Sequence, residues 1–501
     1  MIGSIIDNLA TGFSVSLTLM NLLFCLSGVL IGTLIGVLPG IGPVPAIAML
    51  LPITFRLDPI ASLIMLAGIY YGAQYGGSTT SILVNIPGES ASVVTCLDGY
   101  QMARQGRAGP ALAIAALGSF FAGCVGTSII ALSAPPLARF ALQFGPAEFF
   151  SLFVMGLVAA AALTHGSLLK GLAMICLGVL MGMVGTDIST GVARFTFGIL
   201  DLSDGISFVV LAVGLFGLAE IIANLELKGT QEIFTSKVRG LMPTWPDIKA
   251  SFMPVVRGSF LGSFLGILPG GGAALSSFAS YAMEKRVAKD PSRFGKGAIE
   301  GVAGPESANN AGAQTAFIPM LTLGIPSNPV MALLLGAMLI QGVNPGPQVI
   351  TKRPDLFWGI VTSMWIGNLM LVVLNLPLIG IWVRLLTVPY RFLYPAILVF
   401  CAIGVFSVNN STFDIIILSV FGLVGYIFKK LDCEPAPLML GFILGMMMDE
   451  CFRRAMLLSR GDPTVFFTRT ISLTLMVLAA FVLLTAIIPT FRRKREEAFR
   501  E

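Results

Sequence analysis

Leu34-Ile-Gly-Val-Leu-Pro-Gly-Ile-Gly42 and Phe264-Leu-Gly-Ile-Leu-Pro-Gly-Gly-Gly272 are two copies of one phrase, an apolar run that ends on Leu-Pro-Gly. Pro39 and Pro269 have no N–H to give a helix, and the glycines beside them hold helical geometry poorly, so each phrase predicts a helix that stops. Further on, Asn85-Ile-Pro-Gly-Glu89 parallels Gly324-Ile-Pro-Ser-Asn328. The copies lie 230 residues apart at the first phrase and 239 at the second, in the same order, with a nine-residue insertion between. Two ordered matches make chance richness in Gly and Pro the weaker explanation.

The surrounding composition says what solvent these breaks sit in. Of 501 residues, 55% are hydrophobic and only 11% charged, with a mean hydropathy of +0.89. A soluble domain carries roughly 25% charged residues and could not cover its surface with so few. The chain is long enough for ten or more crossings of about 20 residues each. Apolar runs stand at 13–38, 111–137, 147–163, 167–186, 206–226, 252–268, 358–383, 391–408, 412–428 and 468–489. The expected fold is an all-α polytopic membrane protein of about 10–12 transmembrane helices with two inverted repeats containing broken or re-entrant helices. The first half would be 1–230, with its broken segment at 36–103, and the second 231–501, with its broken segment at 266–345.

Charge placement suggests the orientation of the halves. After the first Leu-Pro-Gly the next loop, Arg56-Leu-Asp58-Pro59, has no net charge, whereas after the second Glu284 to Lys296 carries five basic residues and two acidic ones. After Pro87 the loop holds Arg104 and Arg107, but Gln341 to Gln348 after Pro326 is uncharged. Opposite bias at equivalent turns is what inverted topology predicts under the positive-inside rule. The N-terminus has Asp7 and no Lys or Arg before the first apolar run, which argues against a cleaved signal and for a periplasmic start. The net charge of +5 collects in short loops and in Arg492–Arg495, and leaves no nucleic-acid footprint. Counting Pro435 to Met448 as a span puts Arg453, Arg454 and Arg460 on the outer side, so either that segment is re-entrant or these arginines line a buried site.

In hydrocarbon an unpaired backbone group costs several kcal/mol, so irregular backbone survives only beside protein or a water-filled cavity. A helix stopped at mid-depth offers amides that suit a carboxylate and carbonyls that suit Na⁺. Substrate-binding candidates are therefore Pro39, Gly40, Gly42, Ser78, Thr79, Thr80, Asn85, Pro87 and Gly88, with Pro269, Gly270, Gly271, Asn309, Asn310, Pro326 and Ser327 from the second copy. Any one hydroxyl here could equally satisfy its own helix. Ion-coupling candidates are Glu89, Glu306, Asn328 and Thr322. Carboxyls inside a membrane stretch are costly and functional by default, yet either glutamate could instead cap a helix. Asp98, beside the basic loop, reads as a turn residue, and His165, the single histidine, as a helix-end turn. One histidine excludes His-based zinc and Ser–His chemistry, and Gly295-Lys296-Gly297 is only a fragment of a phosphate loop. Seven scattered cysteines form no disulfide framework. No catalytic residues and no cofactor are expected beyond Na⁺ or H⁺ as a coupling ion.

Gly36-Val-Leu-Pro-Gly-Ile-Gly42, Tyr71-Gly-Ala-Gln-Tyr-Gly-Gly77, Asn85-Ile-Pro-Gly-Glu89 and Asp98-Gly-Tyr100, followed by Gly266-Ile-Leu-Pro-Gly270, Gly301-Val-Ala-Gly-Pro-Glu-Ser-Ala-Asn-Asn310 and Leu323-Gly-Ile-Pro326, extend the pattern over nearly the whole chain. In that order they closely resemble the large membrane subunit of the tripartite tricarboxylate transporters, the TctA family. The resemblance implies a bacterial inner-membrane permease that imports a di- or tricarboxylate, driven by an Na⁺ or H⁺ gradient. It also implies two partners, a periplasmic solute-binding protein and a small four-helix membrane subunit. By analogy with other broken-helix carriers, an elevator-like movement is expected. The alternative is a stand-alone carboxylate carrier or channel that uses the same breaks without a binding protein. An intramembrane enzyme is the third reading, and the absence of HExxH and Gly-x-Gly-Asp patterns stands against it.

Overall fold

The computed structural model describes residues 2–38, 42–163, 167–187, 190–226, 240–268, 272–385 and 390–487. Pro39, Gly40, Pro269, Gly270, Gly271, His165 and the boundary between the expected halves at 230 lie outside them. Among the described residues the chain is all-α apart from a two-stranded antiparallel pairing of Gly185–Thr186 with Ala193–Arg194. Among the described residues, eight helices are long and apolar enough to cross a membrane, and five shorter apolar helices accompany them. The chain is a multi-pass membrane protein.

Both Leu-Pro-Gly phrases interrupt helices. The Leu19–Val37 helix ends with Leu38 extended, and the next helix is Pro43–Thr54. The Trp245–Ile267 helix likewise ends with Leu268 extended, and the next is Gly272–Val287. Each following helix opens on a glycine with positive φ, Gly42 at 65° and Gly272 at 49°, a backbone that a side chain would strain. The second phrases break the chain in matching fashion. Asn85 (φ 59°, ψ 31°) and Gly324 (φ 73°, ψ 23°) end their helices left-handed. Four residues on, Glu89 (φ −150°, ψ 168°) and Asn328 (φ −154°, ψ 171°) start new helical segments from extended backbone.

The broken segment 36–103 is helical over much of its length. Between its two breaks it contains a 26-residue helix, Pro59–Val84, in which every residue from Ile60 to Val84 is buried. It has no lipid-facing side, so it needs no apolar stripe and can carry Gly, Ser, Thr and Gln all around. Its neighbour reads the other way. The Leu19–Val37 helix exposes Leu19, Leu23, Leu26, Leu30 and Leu34 and buries Gly28, Gly32 and Gly36 against Pro59–Val84. A Cβ on Gly28, Gly32 or Gly36 would collide with the backbone oxygens of Met65, Ile69 and Ala73 in turn. The second half repeats this seam. Cβ atoms on Gly258, Gly262 and Gly266 would meet the backbone oxygens of Gly304, Ala308 and Gly312. Those six positions are the Gly28–Ala73 set displaced by the same 230 and 239 residues. Between membrane helices the attraction is close van der Waals contact, which small residues permit and large ones prevent.

Other expectations resolve differently. The run 13–38 splits at Leu17–Thr18 into two helices, Ile2–Ser16 and Leu19–Val37. Pro435 to Met448 is not a separate re-entrant segment but the start of one 24-residue helix, Pro435–Leu458. Arg453 near its end pairs with Asp187 of the hairpin at 3.1 Å and with Asp449 at 3.1 Å, and Arg454 pairs with Glu450. Arg453 fastens the hairpin to the helix end, where Arg194 joins the same two aspartates, while the Arg454 pair lies within the helix itself.

Candidate functional site

The two broken segments meet at one cavity. Its volume is about 810 Å³, and its walls include Gly42–Pro45 and Pro87–Ala91 from the first copy, and Gly272–Leu275 and Ser327–Val330 from the second. Four helical segments thus begin at this space, at Pro43, Ser90, Gly272 and Pro329. The first amides of a helix lack intrahelical acceptors and carry partial positive charge, so their convergence favours an anion without a fixed cation. Among the described residues the one lysine on the wall, Lys429, pairs with Glu220 at 2.8 Å.

Polar side chains at the wall are held from behind. Asn328 accepts from the Met331 N–H through Oδ1 (2.9 Å) and donates through Nδ2 to Tyr70 Oη (3.2 Å). Asn309 donates to Glu89 Oε1 at 3.1 Å, a bond between the copies. The Oγ of Ser327 lies fully buried on the wall with no partner. A buried hydroxyl left unpaired costs about 1–3 kcal/mol, and a ligand oxygen at that wall would recover part of it.

Behind the cavity lies a second polar layer centred on Glu306, which is 0% exposed. Its carboxylate accepts from Ser78 Oγ at 2.5 Å and from Thr95 Oγ1, both on the first copy. Among the described residues no Lys or Arg bonds to it. Asn310 donates to Ser119 Oγ at 2.7 Å and to the Glu306 carbonyl at 3.0 Å.

The predicted residues therefore divide. Gly42, Pro87, Gly88, Glu89, Ser327 and Asn328 line the cavity. Ser78 and Thr79 face a separate small pocket. Thr80 donates to the Val37 carbonyl at 2.9 Å, which satisfies an oxygen freed at the first break. Thr322 donates to Ile318 within its own helix, and Pro326 is buried off the wall. Asn85 is an exposed left-handed helix end, away from the cavity lining.

Asp98 is a correction. It is 0% exposed rather than a turn residue, and its Oδ1 accepts from the N–H groups of Gly295, Gly297 and Ala298 at 2.8–2.9 Å. Tyr281 Oη donates to its other oxygen at 3.0 Å. The Gly-Lys-Gly fragment is an anion cradle after all, filled by a carboxylate of the same chain. Tyr70, Lys429 and Glu220 are wall residues that sequence reasoning missed. Tyr70 was hidden in an apolar run, and only the pairing of two distant helices brings Lys429 to Glu220.

Residues 22–440 match the tripartite tricarboxylate transporter TctA family. The chain is 58% identical over 497 residues, 99% of both chains, to an uncharacterised 52.8 kDa protein in the TAR-I ttuC′ 3′ region of Agrobacterium vitis. It is 59% identical over 240 residues, 48% of this chain and 99% of the relative, to an uncharacterised protein in the TAR-II ttuC′ 3′ region of the same organism. No solved structure matches. With the family match spanning most of its length, this chain belongs to the tripartite tricarboxylate transporter TctA family.

Proposed function

We propose that this chain is the translocating subunit of an ion-coupled importer for di- or tricarboxylates in the bacterial inner membrane, and a carrier rather than an enzyme. The observation that carries the reading is the convergence of both broken segments on one 810 Å³ cavity with four helix starts at its wall. A cavity of that size is ample for a small organic acid. Partial charges at the helix starts would hold its carboxylates, with Ser327 and Asn328 as hydrogen-bonding groups, while Glu89 and Glu306 are the carboxyls placed to take part in coupling to Na⁺ or H⁺.

Pro39, Gly40, Pro269, Gly270 and Gly271 remain assigned to the site on the sequence pattern that brackets them. The tripartite family implies further subunits. We take these to be a periplasmic binding protein that delivers the acid and a small four-helix membrane partner. The N-terminus is assigned to the periplasm, the two halves to inverted topology, and transport to an elevator-like movement of the broken segments.

The test is uptake by proteoliposomes holding the chain with its small subunit. Labelled organic acids are offered with and without binding protein, under separately imposed Na⁺ and pH gradients. Accumulation of a carboxylate that needs one gradient and the binding protein supports the reading. Gradient-independent flux, or uptake indifferent to the binding protein, selects a channel or a stand-alone carrier instead.

A further inference from the structure

Separate from the main cavity is a pocket of about 10 Å³ between the helices Pro59–Val84, Ala108–Ala141 and Pro354–Asn375, lined on its polar side by Tyr75, Ser78, Thr79, Ser119 and Asn375. That volume admits roughly one water-sized particle and no hydrated ion. Every polar group on the wall is an oxygen or an amide, and most of their hydrogens are already spent. Tyr75 Oη donates to Asn368 Oδ1, Ser78 Oγ to Glu306, and Thr79 Oγ1 to the Tyr75 carbonyl. Asn375 Nδ2 donates to the Leu371 carbonyl at 3.0 Å, which fixes the amide orientation and leaves Oδ1 buried without a partner. Asn375 as a whole is 4% exposed. What the wall offers is therefore mainly lone pairs.

Charge points the same way. Glu306 is one hydroxyl removed, through Ser78, and has only neutral donors among the described residues. An ionised carboxylate buried without a cationic neighbour is costly, and a cation nearby offsets that cost. Hard oxygen ligands with a single carboxylate behind them suit a monovalent ion better than a divalent one, which draws on several carboxylates. The geometry points to a binding site for one dehydrated monovalent cation of sodium size, held by Asn375 Oδ1 and the oxygens of Tyr75, Ser78, Thr79 and Ser119, with Glu306 as counter-charge. This deepens the transport reading and rests on it, because it places the coupling ion behind the acid rather than beside it.

The test is made on the purified full-length chain, with and without its small subunit, by ²²Na⁺ equilibrium binding and by thermal unfolding in NaCl at constant ionic strength against KCl and choline chloride. Saturable Na⁺ binding near one ion per chain is expected, with a rise in Tm absent in choline. Asn375→Ala and Thr79→Val should each raise the half-saturating Na⁺ concentration at least tenfold while the protein elutes normally. Either variant alone decides the matter if the other fails to fold. Equal stabilisation by choline overturns the site, as does a sodium response unchanged in the folded variants, which would leave water as the only occupant. Failure of carboxylate uptake with Na⁺ binding intact would count against the transport reading and not against this pocket.

Discussion

In the proposed transport, Ser327 is the residue whose chemistry bears most directly on binding the acid. Ser327 lines the cavity and its Oγ is buried with no partner, so in the proposed transport a carboxylate that reaches it would take its hydrogen. Ser327→Ala is expected to raise KM for uptake about three- to tenfold at unchanged expression, the effect of losing roughly 1 kcal/mol of hydrogen bonding. Asp98 acts elsewhere. Three backbone amides and Tyr281 converge on its carboxylate, and Asp98→Ala would orphan all of them. That variant should lower Tm in detergent by several degrees, read by thermal unfolding, while Asp98→Asn, which keeps an acceptor, loses less. The sequence could not disclose this role. A carboxylate followed by glycine looks like a turn, and the amides that hold it come from almost 200 residues downstream.

At the scale of elements, the breaks were legible and the seams were not. Leu-Pro-Gly and Ile-Pro mark places where a helix must stop, because proline removes a donor and glycine tolerates the left-handed turn. The Gly28–Gly32–Gly36 and Gly258–Gly262–Gly266 stripes carried an equally readable signal of close helix packing, overlooked among the many glycines. Backbone, not a flexible side chain, faces each of them. Gly32→Leu or Gly262→Leu should therefore abolish stable insertion, seen as loss of full-length protein from the membrane fraction, whereas Gly342→Ala, on an open turn, should be tolerated better. The polar cluster was legible as a group but not in its division. Ser78 and Thr79 lie within one helical turn of Thr80, yet they face a separate pocket while Thr80 answers a carbonyl at the break. Which way each side chain points depends on the buried helix around them, and its burial on all sides erased the periodicity that would have told.

For the whole molecule, the bonds Ser78–Glu306, Glu89–Asn309, Tyr70–Asn328 and Asp98–Ala298 all join the first broken segment to the second. Through these bonds the two broken segments share one polar interior. The cavity they enclose carries a native probe, the free thiol of Cys433 on its wall. In a variant retaining Cys433 as its only cysteine, the rate of maleimide labelling is the direct test that the acid occupies this space. Saturating carboxylate, chosen by the uptake panel, is predicted to slow labelling at least fivefold, and an equal concentration of a non-transported acid to leave it unchanged. Labelling at the same rate with and without saturating substrate would contradict the account, because the acid would then bind somewhere other than the cavity the two breaks enclose.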